Sequence, residues 1–195
     1  MPIKGKILNT QKATLDKIQK NAEIMTMIEA FGLKIDPKSM KVTYDSNDLR
    51  YDKIIIMSDA DVDGAHIKNL FYTFIWNFCP ELIYDGHVYA GVPPLYKITI
   101  GKEYKYIKND EELEKFRAAN IGRNYQVNRM KGLGEMDVDE TEETLTDPAQ
   151  RIIKQITVDD VQATKKLFDD LMGEAIIPRK NYIKVHSKEA TYNAE

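Results

Sequence analysis

Cysteine, tryptophan and histidine are scarce in this chain, with one, one and three of them among 195 residues. The single thiol, Cys79, excludes an internal disulfide and any metal cluster built on cysteine, and its neighbours Trp76 and Phe78 suit a core position. No apolar run approaches the roughly 18 residues a membrane span needs. The N-terminal MPIKGKIL also lacks a secretory hydrophobic segment. The expectation is a cytoplasmic chain with no membrane association. Excess basic charge is missing too, and a formal net charge of −3 argues against nucleic-acid binding by the whole surface. Repeats and low-complexity tracts are absent.

What is present is a composition of 43% hydrophobic and 30% charged residues, that of a globular protein long enough to bury a sizeable core. The charge is unevenly spread. Residues 1–20 carry Lys4, Lys6, Lys12, Lys17 and Lys20 against Asp16 alone, whereas 135–147 hold acids and no base. A local basic face near the N-terminus is therefore a candidate contact for phosphates.

Leu15, Ile18, Ala22, Met25 and Ile28 keep helical spacing up to Gly32, a stop signal, which predicts one amphipathic helix. A polar connection over 35–50 leads to a strand over 53–58. The stripe Ile67, Leu70, Phe71, Phe74, Ile75, Phe78 predicts a core helix ending before Pro80. A strand over 87–92 is broken by Pro93-Pro94, and a hairpin follows over 95–107 around Gly101-Lys102. Then come a helix over 110–119, a strand over 125–130, and an acidic helix capped by Asp137 or Asp139 and ended by Asp147-Pro148. A strand over 152–157, a helix over 161–172 closed by Gly173, and a last helix after Pro178 complete the pattern. Strands alternating with helices imply an α/β fold with a mostly parallel sheet, to which the hairpin and the C-terminal helices are additions.

The densest chemistry lies in Ile54-Ile55-Ile56-Met57-Ser58-Asp59-Ala60-Asp61-Val62-Asp63-Gly64-Ala65-His66. A buried strand empties into three carboxylates, at the strand end where open α/β sheets place ligands. If the chain stays extended, Asp59, Asp61 and Asp63 project the same way, and their repulsion calls for a hard divalent cation such as Mg²⁺. An EF-hand is excluded, because the twelfth loop position is Leu70 where a bidentate Glu is needed and a strand precedes the loop. A phosphatase of the haloacid-dehalogenase type is a competing reading, with Asp59 as nucleophile, Asp61 as acid/base and Asp159-Asp160 as a later acidic pair. That scheme leaves Asp63 without a role. The plainest alternative is an acidic strand-to-helix loop whose Asp63 only caps the helix. Lys4-Gly5-Lys6 and Arg129-Met130-Lys131-Gly132-Leu133-Gly134 set cations beside residues without a Cβ, where a phosphate backbone can come close. With the carboxylates they fit metal-assisted phosphoryl transfer on nucleic acid.

These segments, read with Gly86-His87-Val88-Tyr89, Pro93-Pro94-Leu95-Tyr96-Lys97, Gly134-Glu135-Met136, Thr146-Asp147-Pro148, Leu171-Met172-Gly173 and Pro178-Arg179, resemble type IIA DNA topoisomerases over nearly the whole chain. The resemblance is to the C-terminal half of the B subunit of bacterial gyrase or topoisomerase IV. It implies a Toprim domain, a Rossmann-like parallel sheet flanked by helices, over 1–135, and a C-terminal tail packed on it over 136–195. It also implies two Mg²⁺ ions that support cleavage and religation of double-stranded DNA by a tyrosine of the A subunit, in an A2B2 assembly. None of the chain's own tyrosines is expected to be the nucleophile. By the same resemblance Asp59 bridges both metal positions, Asp61 holds the second, and Asp63 acts through water. Lys6 and Asn9 resemble DNA contacts, His66 a residue near the cleaved strand, and Lys4 a position in the quinolone drug pocket. Lys131 resembles a further candidate for DNA contact.

Two departures qualify the resemblance. The family's Glu-Gly-Asp-Ser-Ala motif, which lies upstream of the Lys-Gly-Lys segment and carries a metal ligand, does not occur in this sequence. The first Toprim strand and the ATP-binding and transducer domains are therefore expected to be missing, and the chain to bind metal weakly and be inactive alone. The segment 187–195 also departs from a typical gyrase ending, which tilts the expectation toward topoisomerase IV.

Overall fold

Asn21 divides the first apolar stripe. Its side chain accepts the Ile24 N–H at 2.9 Å, so a new helix begins there. Two helices, α1 (Leu15–Gln19) and α2 (Ala22–Phe31), replace the single helix that periodicity predicts. α2 buries Ile24, Met27 and Ile28, and it stops at Gly32, whose φ of 84° is left-handed. The computed structural model describes residues 1–36, 38–39, 41–59, 61–130 and 132–189.

The polar connection holds a two-stranded antiparallel ladder, β1 (Lys34–Ile35) with β2 (Val42–Thr43). Then follow β3 (Ile54–Ile56), α3 (Val62–Phe78), the short α4 (Glu81–Tyr84) after Pro80, and β4 (Val88–Gly91). β5 (Tyr96–Ile100) and β6 (Glu103–Ile107) form the expected hairpin, with Gly101 at φ 61° in its turn. α5 (Asp110–Ala119) starts at Asn109, whose side chain accepts the Glu112 N–H. β7 (Gln126–Arg129) leads to a 3₁₀ turn over Leu133–Glu135 and to α6 (Val138–Thr141), which widens into a π-helical turn over Glu142–Thr146. β8 (Ile153–Gln155), α7 (Val161–Met172) and α8 (Ile176–His186) end the described chain. Pro178 sits in the first turn of α8 rather than before it, where its missing N–H leaves no intrahelical bond unmade.

The mixed helix-and-strand architecture agrees with the α/β class. Its parallel character, among the described residues, is confined to β3 and β4, with Ile54, Ile55 and Ile56 opposite Val88, Tyr89 and Ala90. β8 joins the other side of β4 antiparallel, in the order β3-β4-β8. A second sheet, β6-β5-β7, is wholly antiparallel, because a tight turn permits no other pairing of β5 with β6 and β7 returns along β5.

The chain divides into two compact units. The first comprises residues 1–52, 70–86 and 157–195. Its most buried side chains include Ile24, Met27, Ile28, Phe74, Ile75 and Leu82. There Trp76 stacks on Phe168 of α7, with centroids 5.6 Å apart and planes at 15°. The second unit comprises 53–69 and 87–156. Ile98, Ile107 and Leu113 form its cluster under the β6-β5-β7 sheet, with Tyr96, Phe116, Tyr125 and Val127 packed against it.

Candidate metal centre

Within the second unit, β3 ends at Ile56, and a loop whose Ser58 is buried carries the chain to α3 at Val62. The extended alternation expected for Asp59, Asp61 and Asp63 is therefore not formed. Asp59 lies in the loop, Asp61 caps the helix and Asp63 falls in its first turn. The Asp61 carboxylate accepts the Gly64 N–H at 2.7 Å, and its carbonyl accepts the Ala65 N–H at 3.0 Å. Each helical residue turns the chain by about 100°, so Asp63 points away from the direction of Asp61. Among the described residues no three His, Cys, Asp or Glu side chains come close enough together to hold a metal ion.

Asp59 is half-buried and held from a distant part of the chain. Its Oδ1 accepts the Leu133 N–H at 2.7 Å. A Cβ built on Gly132 would lie 3.3 Å from Oδ2 and 3.4 Å from Oδ1, so the missing side chain lets this backbone close onto the carboxylate. Gly64 works similarly from the other side. A Cβ there would lie 2.9 Å from the carbonyl carbon and 2.9 Å from the nitrogen of Asp59 and would collide with its carbonyl oxygen. The Lys-Gly-Leu-Gly segment and the acidic loop, two separate signals in the sequence, are thus one construction.

The donor chemistry fits Mg²⁺. Asp59 and Asp61 are hard oxygen donors, and each carboxylate has one oxygen held by a backbone N–H. Magnesium is commonly held by one or two carboxylates, with water and phosphate completing its shell. His66 is exposed on α3, three residues after Asp63 and on the same helical face.

The other predicted contacts lie in the first unit. Lys4 and Lys6 are exposed on either side of Gly5, whose φ is 101°. Asn9 is half-buried, its Nδ2 donating to the Met172 carbonyl at 3.0 Å and its Oδ1 accepting the Gln11 N–H, so its amide ties the N-terminal segment to α7. Lys131 lies outside the described residues. Asp160, one of the acids a phosphatase scheme requires, is the cap of α7 and accepts the Gln162 and Ala163 N–H groups. Sequence reasoning missed the backbone donor at Leu133. The available signal was the glycine beside it, which the chain uses to approach its own carboxylate.

The chain is similar to known proteins over most of its length. Residues 1–90 match the Toprim domain, and residues 122–184 match the family described as DNA gyrase B subunit, carboxyl terminus. The DNA gyrase B subunit of Thermus thermophilus is 43% identical over 190 residues, 97% of this chain and 30% of that protein. The gyrase B subunit of Mycoplasmoides gallisepticum is 42% identical over 188 residues, 96% of this chain and 28% of that protein. That of Staphylococcus aureus is 44% identical over 184 residues, 94% and 28%. The chain thus spans under a third of the length of these relatives, each of which is named a gyrase B subunit.

Proposed function

The chain belongs to the family of type IIA topoisomerase B subunits, and from that premise we propose that it supplies metal- and DNA-holding residues for Mg²⁺-dependent cleavage and religation of double-stranded DNA. The observation that carries the reading is the seat of Asp59, a carboxylate fixed by the Leu133 N–H and enclosed by Gly132 and Gly64. In this reading Asp59 and Asp61 hold the ions, two in the complete site, and Asp63 acts through water. When bound, Mg²⁺ supplies neutralisation of the charge that develops on the scissile phosphate and its leaving oxygen. The chain's own residues do the positioning. Leu133 orients Asp59, the α3 N-terminus orients Asp61, and His66, exposed on α3, lies near the cleaved strand. Lys4, Lys6 and Lys131 supply phosphate contacts, Lys4 also lining a drug pocket, while Asn9 acts through the segment it anchors.

The nucleophilic tyrosine comes from the A subunit of gyrase or topoisomerase IV in an A2B2 assembly, ATP acts on domains outside these residues, and the site of action is the cytoplasm. The relatives above are named gyrase, which supports that enzyme over the topoisomerase IV suggested by segment 187–195. The test is DNA cleavage by an enzyme assembled from this chain, the remainder of the gyrase B polypeptide and an A subunit. Asp59→Asn is expected to lower Mg²⁺-dependent cleavage by about a hundredfold or more. Cleavage at the unmodified rate would remove Asp59 from the metal site. Hydrolysis of an aryl phosphate by the chain alone would point instead to the phosphatase.

A further inference from the structure

We propose that Lys97 and Glu140 are positioning residues for the Asp59 carboxylate, acting through the backbone N–H of Leu133; the inference rests on the metal-site reading above. Asp59 is oriented by a main-chain donor, and so by whatever fixes residues 132–136. On one side the Met130 N–H donates to the Leu95 carbonyl at 2.8 Å, beyond the end of the β5–β7 ladder. On the other, the Met136 N–H reaches back to the Leu133 carbonyl at 3.4 Å, and the Asp137 N–H donates to Glu140 Oε2 at 3.1 Å. Oε1 of the same carboxylate takes Lys97 Nζ of β5 at 2.5 Å. Glu140 therefore ties the end of the loop to the strand beside which the loop begins.

Three further facts single out this ion pair. Its side chains are only 25% and 16% exposed, so both charges have been drawn largely out of water. Replacing such a pair by apolar residues is often neutral or stabilising, which makes geometry a better account of it than stability. Lys97 is also framed from outside the pair, with its ammonium 4.6 Å from the centroid of the Tyr104 ring. Finally, Lys97, Met130, Gly132, Met136 and Glu140 line one cavity of about 250 Å³. Residues at both ends of the loop and both members of the ion pair thus face the same cavity.

Amide hydrogen exchange on the 195-residue chain, followed residue by residue by NMR, tests the inference. Lys97→Met is expected to reduce protection of the Leu133 amide by at least about tenfold while the Met130 amide keeps its protection, which separates release of the loop from unfolding. Lys97→Arg, which retains a cation for Glu140, is expected to leave both unchanged. Mn²⁺ is the metal probe, read by its broadening of amides around residues 59–65. Lys97→Met is expected to weaken that binding by about tenfold, the lower end of what loss of an outer-shell support costs. Should Lys97→Met not fold, the isosteric Glu140→Gln carries the same expectations. Leu133 protection at the wild-type level in the variant that folds would overturn the proposal. Failure of the metal reading is distinguishable: Asp59→Asn would then leave the Mn²⁺ broadening intact, whatever the exchange at Leu133.

Discussion

Two glycines flank Asp59, and the atoms they approach differ in how far they can yield. A Cβ at Gly64 meets main chain, with the nitrogen and carbonyl carbon of Asp59 both at 2.9 Å, whereas one at Gly132 meets the rotatable carboxylate at 3.3–3.4 Å. Gly64→Ala is therefore expected to destabilise the second unit by roughly 2–3 kcal/mol, the range of an overpacked site whose neighbours are backbone. Gly132→Ala, at an extended φ of −155° that alanine adopts freely, is expected to cost less than about 1 kcal/mol. Its effect falls on the orientation of Asp59. Urea denaturation of both variants measures the difference, and a larger loss for Gly132→Ala would refute the account. The acids and glycines were legible in the sequence as a metal-ready run and as loops open to phosphate. What they touch was not, because the Asp59–Leu133 bond joins positions 74 apart, and no local pattern encodes a contact at that separation.

Elements followed the sequence where their ends carry their own chemistry. α7 occupies its predicted span because Asp160 caps one end and Gly173 follows the other. The first helix split at Asn21 because a good cap outweighs an apolar stripe that continues past it. The strand-to-strand pairings were less legible, since short antiparallel strands and parallel ones present similar apolar runs. At this scale the Lys97–Glu140 pair links β5 to α6 and gives the second unit a defined pH response. Hydrogen bonding from Lys97 holds the Glu140 carboxyl below its ordinary value of 4.5, and the bond to Glu140 holds the Lys97 ammonium above its ordinary 10.5. Glu140 therefore contributes its full stabilisation above about pH 4.5 and loses it as pH falls through its lower folded value. Lys97 contributes fully below about pH 10.5 and loses its share as pH rises through its higher one. The stability gap between wild type and Lys97→Met should hence be flat, at roughly 1–2 kcal/mol, across neutral pH and should narrow in strong acid and strong base. Denaturation midpoints from pH 3 to pH 11 read this directly. A gap that widens in acid would contradict it.

The whole chain interleaves its two units, passing between them at residues 52–53, 69–70, 86–87 and 156–157, so no single cut separates them into two polypeptides. The first unit draws on both ends of the sequence. Asn9 donates to the Met172 carbonyl, Gln11 Nε2 donates to Asp169 at 2.7 Å, and Trp76 lies between the edge-on ring of Tyr84 and the stacked ring of Phe168. These contacts make α7 a part of the unit that holds Lys4 and Lys6, and the chain's one tryptophan reports whether it is docked. Phe168→Ala removes the stacked face and is expected to shift Trp76 emission to the red and destabilise the first unit by roughly 1–3 kcal/mol, below the cost of a fully buried aromatic because Phe168 is half-buried. Cys79 supplies an independent clock in the same unit. Its side chain is 1% exposed, and burial pushes its thiol up to about 12, so it reacts with a thiol reagent at neutral pH only when the unit opens. Phe168→Ala should accelerate Cys79 labelling in proportion to the stability lost, while exchange at Ile98, in the core of the second unit, measures how far the opening reaches there. Unchanged emission together with unchanged labelling would show that α7 contributes nothing to the first unit's stability, and the Asn9 and Trp76 contacts would then lose the structural meaning given to them.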